Sequence, residues 1–81
     1  MSKILIIEDD VDINEVLKLY LENVQYDVYT AMTLLDGKKL LNEISPDLIL
    51  LDVDLPDGNG FEFAKKIRKQ IFLLEQSNDS Q

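Results

Sequence analysis

The sequence contains no cysteine, and this absence excludes two ways in which a small domain can be stabilised. Its 81 residues offer neither a disulfide nor a thiolate ligand for a metal. A chain of this length buries only roughly 60–65% of its unfolded surface. We therefore expect it to depend on core packing, metal binding or association with another chain.

The sequence also lacks a long apolar run and an excess of positive charge. Near the amino terminus, Ile4 to Ile7 are apolar and are followed at once by acidic residues, so the run is too short for a signal peptide or a membrane span. We therefore expect a cytoplasmic protein without a membrane partner. The net charge of -8 makes contact with nucleic acid through this chain unexpected.

Two short apolar runs each end in carboxylates. Ile4 to Ile7 lead into Glu8-Asp9-Asp10, and Leu48 to Leu51 lead into Asp52. Such runs are typical of strands buried on both faces, which belong to parallel sheets covered by helices. Because the carboxyl ends of parallel strands meet at one edge, we expect these acids to converge in a site able to hold a divalent metal.

Between the two runs, helical and strand patterns alternate. Asp12 is a plausible N-cap for an amphipathic helix that reaches Val24, and residues 26–31 alternate as in a strand. A second helix begins near Thr33 and ends before Pro46. The order of strand, helix, strand, helix and strand predicts an α/β fold with a parallel sheet and right-handed crossovers.

The segment after Gly60 allows two interpretations. Its apolar residues keep a helical period, and no Gly or Pro falls between Phe61 and Gln76, so one long helix is favoured. In the alternative, the helix stops near Gln70 and residues 71–74 form a fourth strand. We assign residues 1–76 to one domain and residues 77–81 to a polar tail.

Asp52 and the loop after it stand out chemically. A charged Asp at the end of a buried strand is costly unless it is paired or meets a cation. Pro56, Gly58 and Gly60 predict a tight loop that brings backbone groups close to the Asp52 carboxylate.

These motifs resemble the receiver domain of two-component response regulators. The resemblance extends from residue 3 to about residue 70, and it is specific because several independent spacings agree. It implies a flavodoxin-like fold, in which ligands lie beyond the carboxyl ends of the strands. The matching segments are Ile4-Leu5-Ile6-Ile7-Glu8-Asp9-Asp10, Pro46-Asp47-Leu48-Ile49-Leu50-Leu51-Asp52 and Leu55-Pro56-Asp57-Gly58-Asn59-Gly60.

The resemblance also implies a function for individual residues. Asp52 would be the phospho-acceptor, taking a phosphoryl group from a histidine kinase, a phosphotransfer protein or a small donor. The implied cofactor is Mg²⁺, held by Glu8, Asp9, Asp52 and the backbone carbonyl of Asp54, with Glu8 acting through water. Such a domain is a switch rather than an enzyme, with at most a slow self-dephosphorylation.

The sequence departs from the family pattern after the third helix. A family receiver has five strands and is about half as long again. The Lys that contacts the phosphoryl group, the aromatic switch partner and the usual output surface have no counterpart, and Ser77 and Ser80 are no secure equivalents of the switch hydroxyl. We therefore expect impaired signalling by a truncated receiver.

Truncation would also leave a sheet of three strands in the order 2-1-3, with the third strand as an exposed apolar edge. Such an edge invites pairing with another chain. We therefore expect a homodimer that completes the sheet, with Phe61, Ala64, Ile67, Ile71 and Leu74 as a contact surface on the long helix.

Other functions are open. The chain is alternatively a non-phosphorylatable dimerising or competing binding module, or a fragment of a longer regulator. Asp52-Val53-Asp54 also resembles the first motif of haloacid-dehalogenase-like aspartyl phosphatases, with Asp54 as general acid, although Pro56 departs from that motif. An EF-hand calcium loop is the weakest alternative, because the acidic spacing from Asp52 to Gly58 is off by one.

Overall fold

Strands and helices alternate along the chain up to the third strand. The computed structural model of the protein describes residues 2–67 and 70–74. The elements in chain order are β1 (Lys3–Ile7), α1 (Val11–Asn23), β2 (Asp27–Ala31), α2 (Leu34–Ile44), β3 (Leu48–Asp52), β4 (Asp54–Leu55), β5 (Gly58–Asn59), α3 (Gly60–Ala64) and β6 (Gln70–Leu74). The predicted alternation and the α/β fold class are thus confirmed.

The main sheet contains four parallel strands in the order β2-β1-β3-β6. The predicted order 2-1-3 is confirmed. In the pairing of β1 with β3, Ile7 lies opposite Leu51. Glu8 directly follows Ile7, and Asp52 directly follows Leu51. This register therefore places both carboxylates at the same edge of the sheet.

The core lies on the two central strands. Leu5, Ile6 and Ile7 of β1 and Ile49 and Leu51 of β3 are all fully buried. Burial of each such side chain contributes roughly 1.5–3 kcal/mol relative to exposure. The apolar runs are therefore strands covered on both faces by helices and loops, as the sequence indicated.

The start of α1 differs by two residues from the prediction. The N-cap is Asp10, whose carboxylate accepts hydrogen bonds from the backbone N–H groups of Asp12 and Ile13, at 3.0 and 3.1 Å. Asp12 lies within the first turn, where its negative charge complements the helix dipole. Both acids suit a helix start, and the sequence pattern alone did not separate them.

The predicted long helix after Gly60 is wrong. The helix α3 ends at Ala64, and β6 pairs in parallel with β3, so that Asp52 lies opposite Leu74. A short apolar run fits a helix or a strand equally well by periodicity. Pairing with β3 favours the strand here, because β6 forms hydrogen bonds with the backbone groups along the otherwise open side of β3.

This fourth strand also corrects the expected three-strand sheet. The strand β3 is covered by β6 and is not the exposed edge that motivated the homodimer. Ile71 and Leu74 belong to this strand, so they form no helical contact surface with Phe61 and Ala64. Within the described ranges, β6 pairs on one side only, and its Phe72 is 61% exposed.

Two further predictions concern the ends of the chain and membranes. The tail at residues 77–81, with Ser77 and Ser80, lies outside the described residues, as does the proposed boundary at residue 76. Among the residues that the structure describes, no helix combines the length and the apolar character needed to cross a membrane.

Candidate acidic site

Three carboxylates meet at the carboxyl ends of β1 and β3. Glu8, Asp9 and Asp52 each place a carboxylate oxygen within 4.8 Å of the other two. The register of the two strands sets Glu8 beside Asp52, and Asp9 follows in the turn before α1. The structure therefore brings together the three side chains that the sequence singled out as metal ligands.

The three carboxylates differ in their exposure to solvent. Glu8 is 0% and Asp52 is 3% exposed, whereas Asp9 is exposed. The Glu8 carboxylate accepts a hydrogen bond from the Asp10 backbone N–H at 3.0 Å. Two acids are thus largely removed from water at one point, which is costly for their charged forms.

The surroundings of Asp52 oppose its ionisation. Burial is the largest cause that raises the pKa of the Asp52 carboxyl from 3.8 to about 6, and the charge and a side-chain hydrogen bond of the neighbouring Glu8 contribute to this rise. A hydrogen bond with Asp9 acts in the same direction, whereas the Asp54 backbone N–H lowers the pKa. A bound cation would relieve this repulsion, because an opposite charge favours the ionised form.

Asp54 contributes backbone rather than side chain to this region. Its side chain is exposed and is not among the converging carboxylates. The strands β4 and β5 form a short antiparallel hairpin, in which Asp54 lies opposite Asn59 and Leu55 lies opposite Gly58. Buried Leu55 fixes this hairpin on the core, with the Asp54 backbone next to Asp52.

The loop is tight where the sequence predicted it. Pro56 lies at the exposed tip of the hairpin. At the base, the Gly60 N–H donates to the Val53 carbonyl oxygen at 2.6 Å, and a Cβ at Gly60 would collide with the Asp52 carbonyl oxygen. At Gly58, a Cβ would lie 2.7 Å from the Leu34 Cδ1. Both glycines therefore permit close approaches that keep the loop against the site.

The sequence interpretation missed the role of Asn14. This side chain is only 6% exposed, and its Nδ2 donates to the carbonyl oxygens of Glu8 at 2.8 Å and Ala31 at 3.4 Å. It thereby holds the backbone of Glu8 in place from α1. The available signal was its spacing, because Asn14 precedes Leu17 and Leu21 on the inward stripe of the helix.

Asp57 was also missed as a structural element of the site. Its two carboxylate oxygens accept hydrogen bonds from the backbone N–H groups of Leu34 and Leu35, at 2.8 and 3.0 Å. These two bonds lower the pKa of the Asp57 carboxyl. No sequence pattern indicates this contact, since the partners lie more than 20 positions away.

The donor set fits a hard divalent cation. All side-chain ligands in the cluster are carboxylate oxygens, and the described part of the chain contains neither cysteine nor histidine. The ion pairs among described residues join Lys18 to Glu22 and Lys65 to Glu62, so neither neutralises Asp9 or Asp52. Carboxylate oxygens that carry negative charge are ligands that Mg²⁺ prefers.

Comparison with known proteins gives a consistent result. The family model described as the response regulator receiver domain matches residues 4–75. The transcriptional regulatory protein AfsQ1 of Streptomyces coelicolor is 46% identical over 83 aligned positions, which cover 98% of this chain and 37% of that protein. A CpxR homolog of Haemophilus influenzae, also named a transcriptional regulatory protein, is 46% identical over 69 positions, covering 85% of this chain and 30% of that protein.

Solved structures agree with the sequence relatives. The response regulator MaeR bound to beryllium trifluoride superposes with a TM-score of 0.88 at 37% identity, covering 98% of this chain and 70% of that chain. The chain thus spans about a third of the length of the curated relatives and about two thirds of this structural neighbour.

Proposed function

Because the chain belongs to the response regulator receiver domain family, we propose that it accepts a phosphoryl group on Asp52 with the help of Mg²⁺. Receiver domains are phospho-acceptor switches rather than enzymes, and their family typically binds Mg²⁺ at acidic residues. The observation that supports this function most strongly is the convergence of Glu8, Asp9 and Asp52 at the carboxyl edge of the sheet.

The proposed roles follow from the position of each group. Asp9 and Asp52 would bind Mg²⁺ directly, with Glu8 acting through water and Asp54 through its backbone carbonyl. When bound, the ion would neutralise charge on the phosphoryl oxygens during transfer. Asp52 is buried at the carboxyl end of β3, which restricts the orientation of its carboxylate. Such positioning matters because carboxylates are weak nucleophiles.

The transfer itself exchanges one phosphorus bond for another. A carboxylate oxygen of Asp52 attacks the phosphorus of a phosphohistidine, the P–N bond breaks as the new P–O bond forms, and the imidazole leaves and takes up a proton. The product is an acyl phosphate at the carboxyl edge of β3. Its added charge would bias a two-state element and so change the contacts with a partner.

We propose a histidine kinase or a phosphotransfer protein as the donor. The relatives AfsQ1 and the CpxR homolog are named transcriptional regulators, and this chain matches only about a third of each. With a net charge of -8, the chain itself is expected to repel the DNA backbone. Contact with DNA is therefore not part of the function proposed for these residues.

The metal step is tested by titrating the protein with Mg²⁺ in a calorimeter. Asp9→Asn should weaken Mg²⁺ binding by about tenfold or more, since even substitutions outside the direct ligands cost that much. Glu43→Gln is the matched control, because Glu43 is exposed near the C-terminal end of α2 and is not among the converging carboxylates. Equal affinities in the wild type and Asp9→Asn would contradict the ligand assignment.

A homodimer remains a prediction, although its structural reason has changed. Among the described residues, β6 has a strand partner on one side only and contains exposed Phe72, and an open strand edge is a template for pairing with a second chain. Light scattering should therefore show a dimer that is weakened in Phe72→Lys. A well-folded monomer at high protein concentration would contradict this expectation.

A further inference from the structure

We propose that Asp57 is a positioning residue for the acidic site. By binding the start of α2, it would fix the hairpin at residues 54–59, which holds the Asp54 backbone beside Asp52. This inference rests on the proposed function, because it assigns the hairpin a part in Mg²⁺ binding. Asp57 itself would touch neither the metal nor the phosphoryl group.

The contact between Asp57 and α2 uses both carboxylate oxygens. Each oxygen accepts a hydrogen bond from a different amide of the first helical turn, that of Leu34 at 2.8 Å and that of Leu35 at 3.0 Å. These amides have no acceptor within the helix, so an external acceptor satisfies them. The negative charge of Asp57 also lies at the positive end of the helix dipole.

The helix α2 has a second and separate cap. The Thr33 Oγ1 accepts a hydrogen bond from the Asp36 N–H at 3.1 Å, and this contact is local to the helix. Two caps therefore act on one helix start, and of these two only Asp57 belongs to the hairpin. Loss of the Thr33 cap should therefore weaken α2 alone, whereas loss of Asp57 should also release the hairpin from α2.

The hairpin needs anchors at both ends. Its two strands contain two residues each, and a hairpin of this length is not stable by itself. At the base, the Gly60 N–H binds the Val53 carbonyl, and Asn59 caps α3 through the amides of Phe61 and Glu62. At the tip, the turn contains Pro56 and Asp57.

Asp57 is therefore the polar anchor of the hairpin tip. Packing supports the same contact, because Gly58 lies so close to α2 that a Cβ there would meet Leu34. Without Asp57, the tip would keep this packing but lose both hydrogen bonds. The base of the hairpin would then turn more freely, and with it the Asp54 carbonyl that we propose as a ligand.

The first test compares Mg²⁺ affinity in three variants by calorimetry. Asp57→Ala should weaken binding by about tenfold, as expected for loss of a group that orients a metal ligand. Thr33→Ala removes the other cap of α2 at a similar cost in stability and should change affinity by less than about twofold. Asp57→Asn lacks the charge but keeps one acceptor oxygen, so its affinity should lie between those of the wild type and Asp57→Ala.

Two results would overturn the inference. An equal loss of affinity in Thr33→Ala and Asp57→Ala would mean that any weakening of α2 has the same effect. An unchanged affinity in Asp57→Ala would mean that the contact of Asp57 with α2 does not position the acidic site.

A second readout needs no metal and separates this inference from the proposed function. In the metal-free protein, the NMR signal of the Asp54 amide should shift, and its hydrogen exchange should accelerate, in Asp57→Ala but not in Thr33→Ala. An unchanged Asp54 amide in Asp57→Ala would refute the positioning role. If the wild type bound no Mg²⁺ while the Asp54 amide responded as expected, the proposed metal site would fail and the link from Asp57 to the hairpin would stand.

Discussion

Replacing Asp52 with asparagine is expected to stabilise the metal-free protein at about pH 8 by up to about 3 kcal/mol. Burial and the neighbouring Glu8 raise the pKa of Asp52 from 3.8 to about 6, so its ionised form is unfavourable in the folded state. Asparagine has nearly the same shape and carries no charge. Its amide N–H can donate to Glu8, as the protonated Asp52 would.

The stabilisation should depend on pH in a defined direction. A carboxyl whose pKa is higher in the folded state contributes stability below its unfolded pKa, near 3.8, and loses it as the pH rises through about 6. The wild type and Asp52→Asn should therefore be similarly stable below about pH 4, and should diverge between about pH 4 and pH 7.

Urea denaturation in the presence of EDTA measures this difference. Glu43→Gln, which removes an exposed charge on α2, should leave the pH profile close to that of the wild type. Asp52→Asn could instead be less stable than the wild type at about pH 8, or more stable by the same amount at every pH. Either result would show that burial and Glu8 do not disfavour the ionised form of Asp52 in the folded state.

The second large effect is expected at Gly60. A Cβ at this position would collide with the Asp52 carbonyl oxygen and lie 3.0 Å from the Val53 Cα, and both obstacles are backbone atoms. They cannot rotate away, so the end of β3 itself must move. Gly60→Ala should therefore cost about 3 kcal/mol or more, which is the upper range for overpacking. It should also reduce Mg²⁺ binding, because β3 carries Asp52.

Gly37→Ala is the matched control for this substitution. The three atoms nearest to a Cβ at Gly37 all belong to the Ile7 side chain, and alanine also favours the helical conformation by about 1 kcal/mol over glycine. Its net cost should thus be clearly smaller than that of Gly60→Ala. Thermal denaturation of both variants gives the comparison, and equal losses in melting temperature would contradict the special role of the Gly60 backbone contact.

The parts of the fold that the sequence predicted well depend on local patterns. The apolar runs of β1 and β3 indicated buried strands, and their parallel arrangement indicated that the acids after them would meet. The structure brings Glu8, Asp9 and Asp52 together as this geometry requires. The tight loop was equally local, because Pro56 and the glycines after it restrict the backbone directly.

The features that the sequence did not predict depend on distant contacts. Residues 71–74 have a pattern that suits a helix or a strand, and only the open side of β3 selects the strand. The contacts of Asp57 with α2 and of Asn14 with the backbone of Glu8 arise from packing of separate elements. A side chain that binds a distant backbone group leaves no periodic signal in the sequence.

Phosphoryl acceptance by Asp52 is the central claim, and intact-mass analysis tests it most directly. The protein is incubated with Mg²⁺ and acetyl phosphate, with EDTA and Asp52→Asn as parallel controls. We predict an adduct of one phosphoryl group that requires Mg²⁺ and is absent from Asp52→Asn. If no adduct forms under conditions that label a full-length receiver domain, the claim is contradicted, and a binding module that does not accept phosphate becomes the better description.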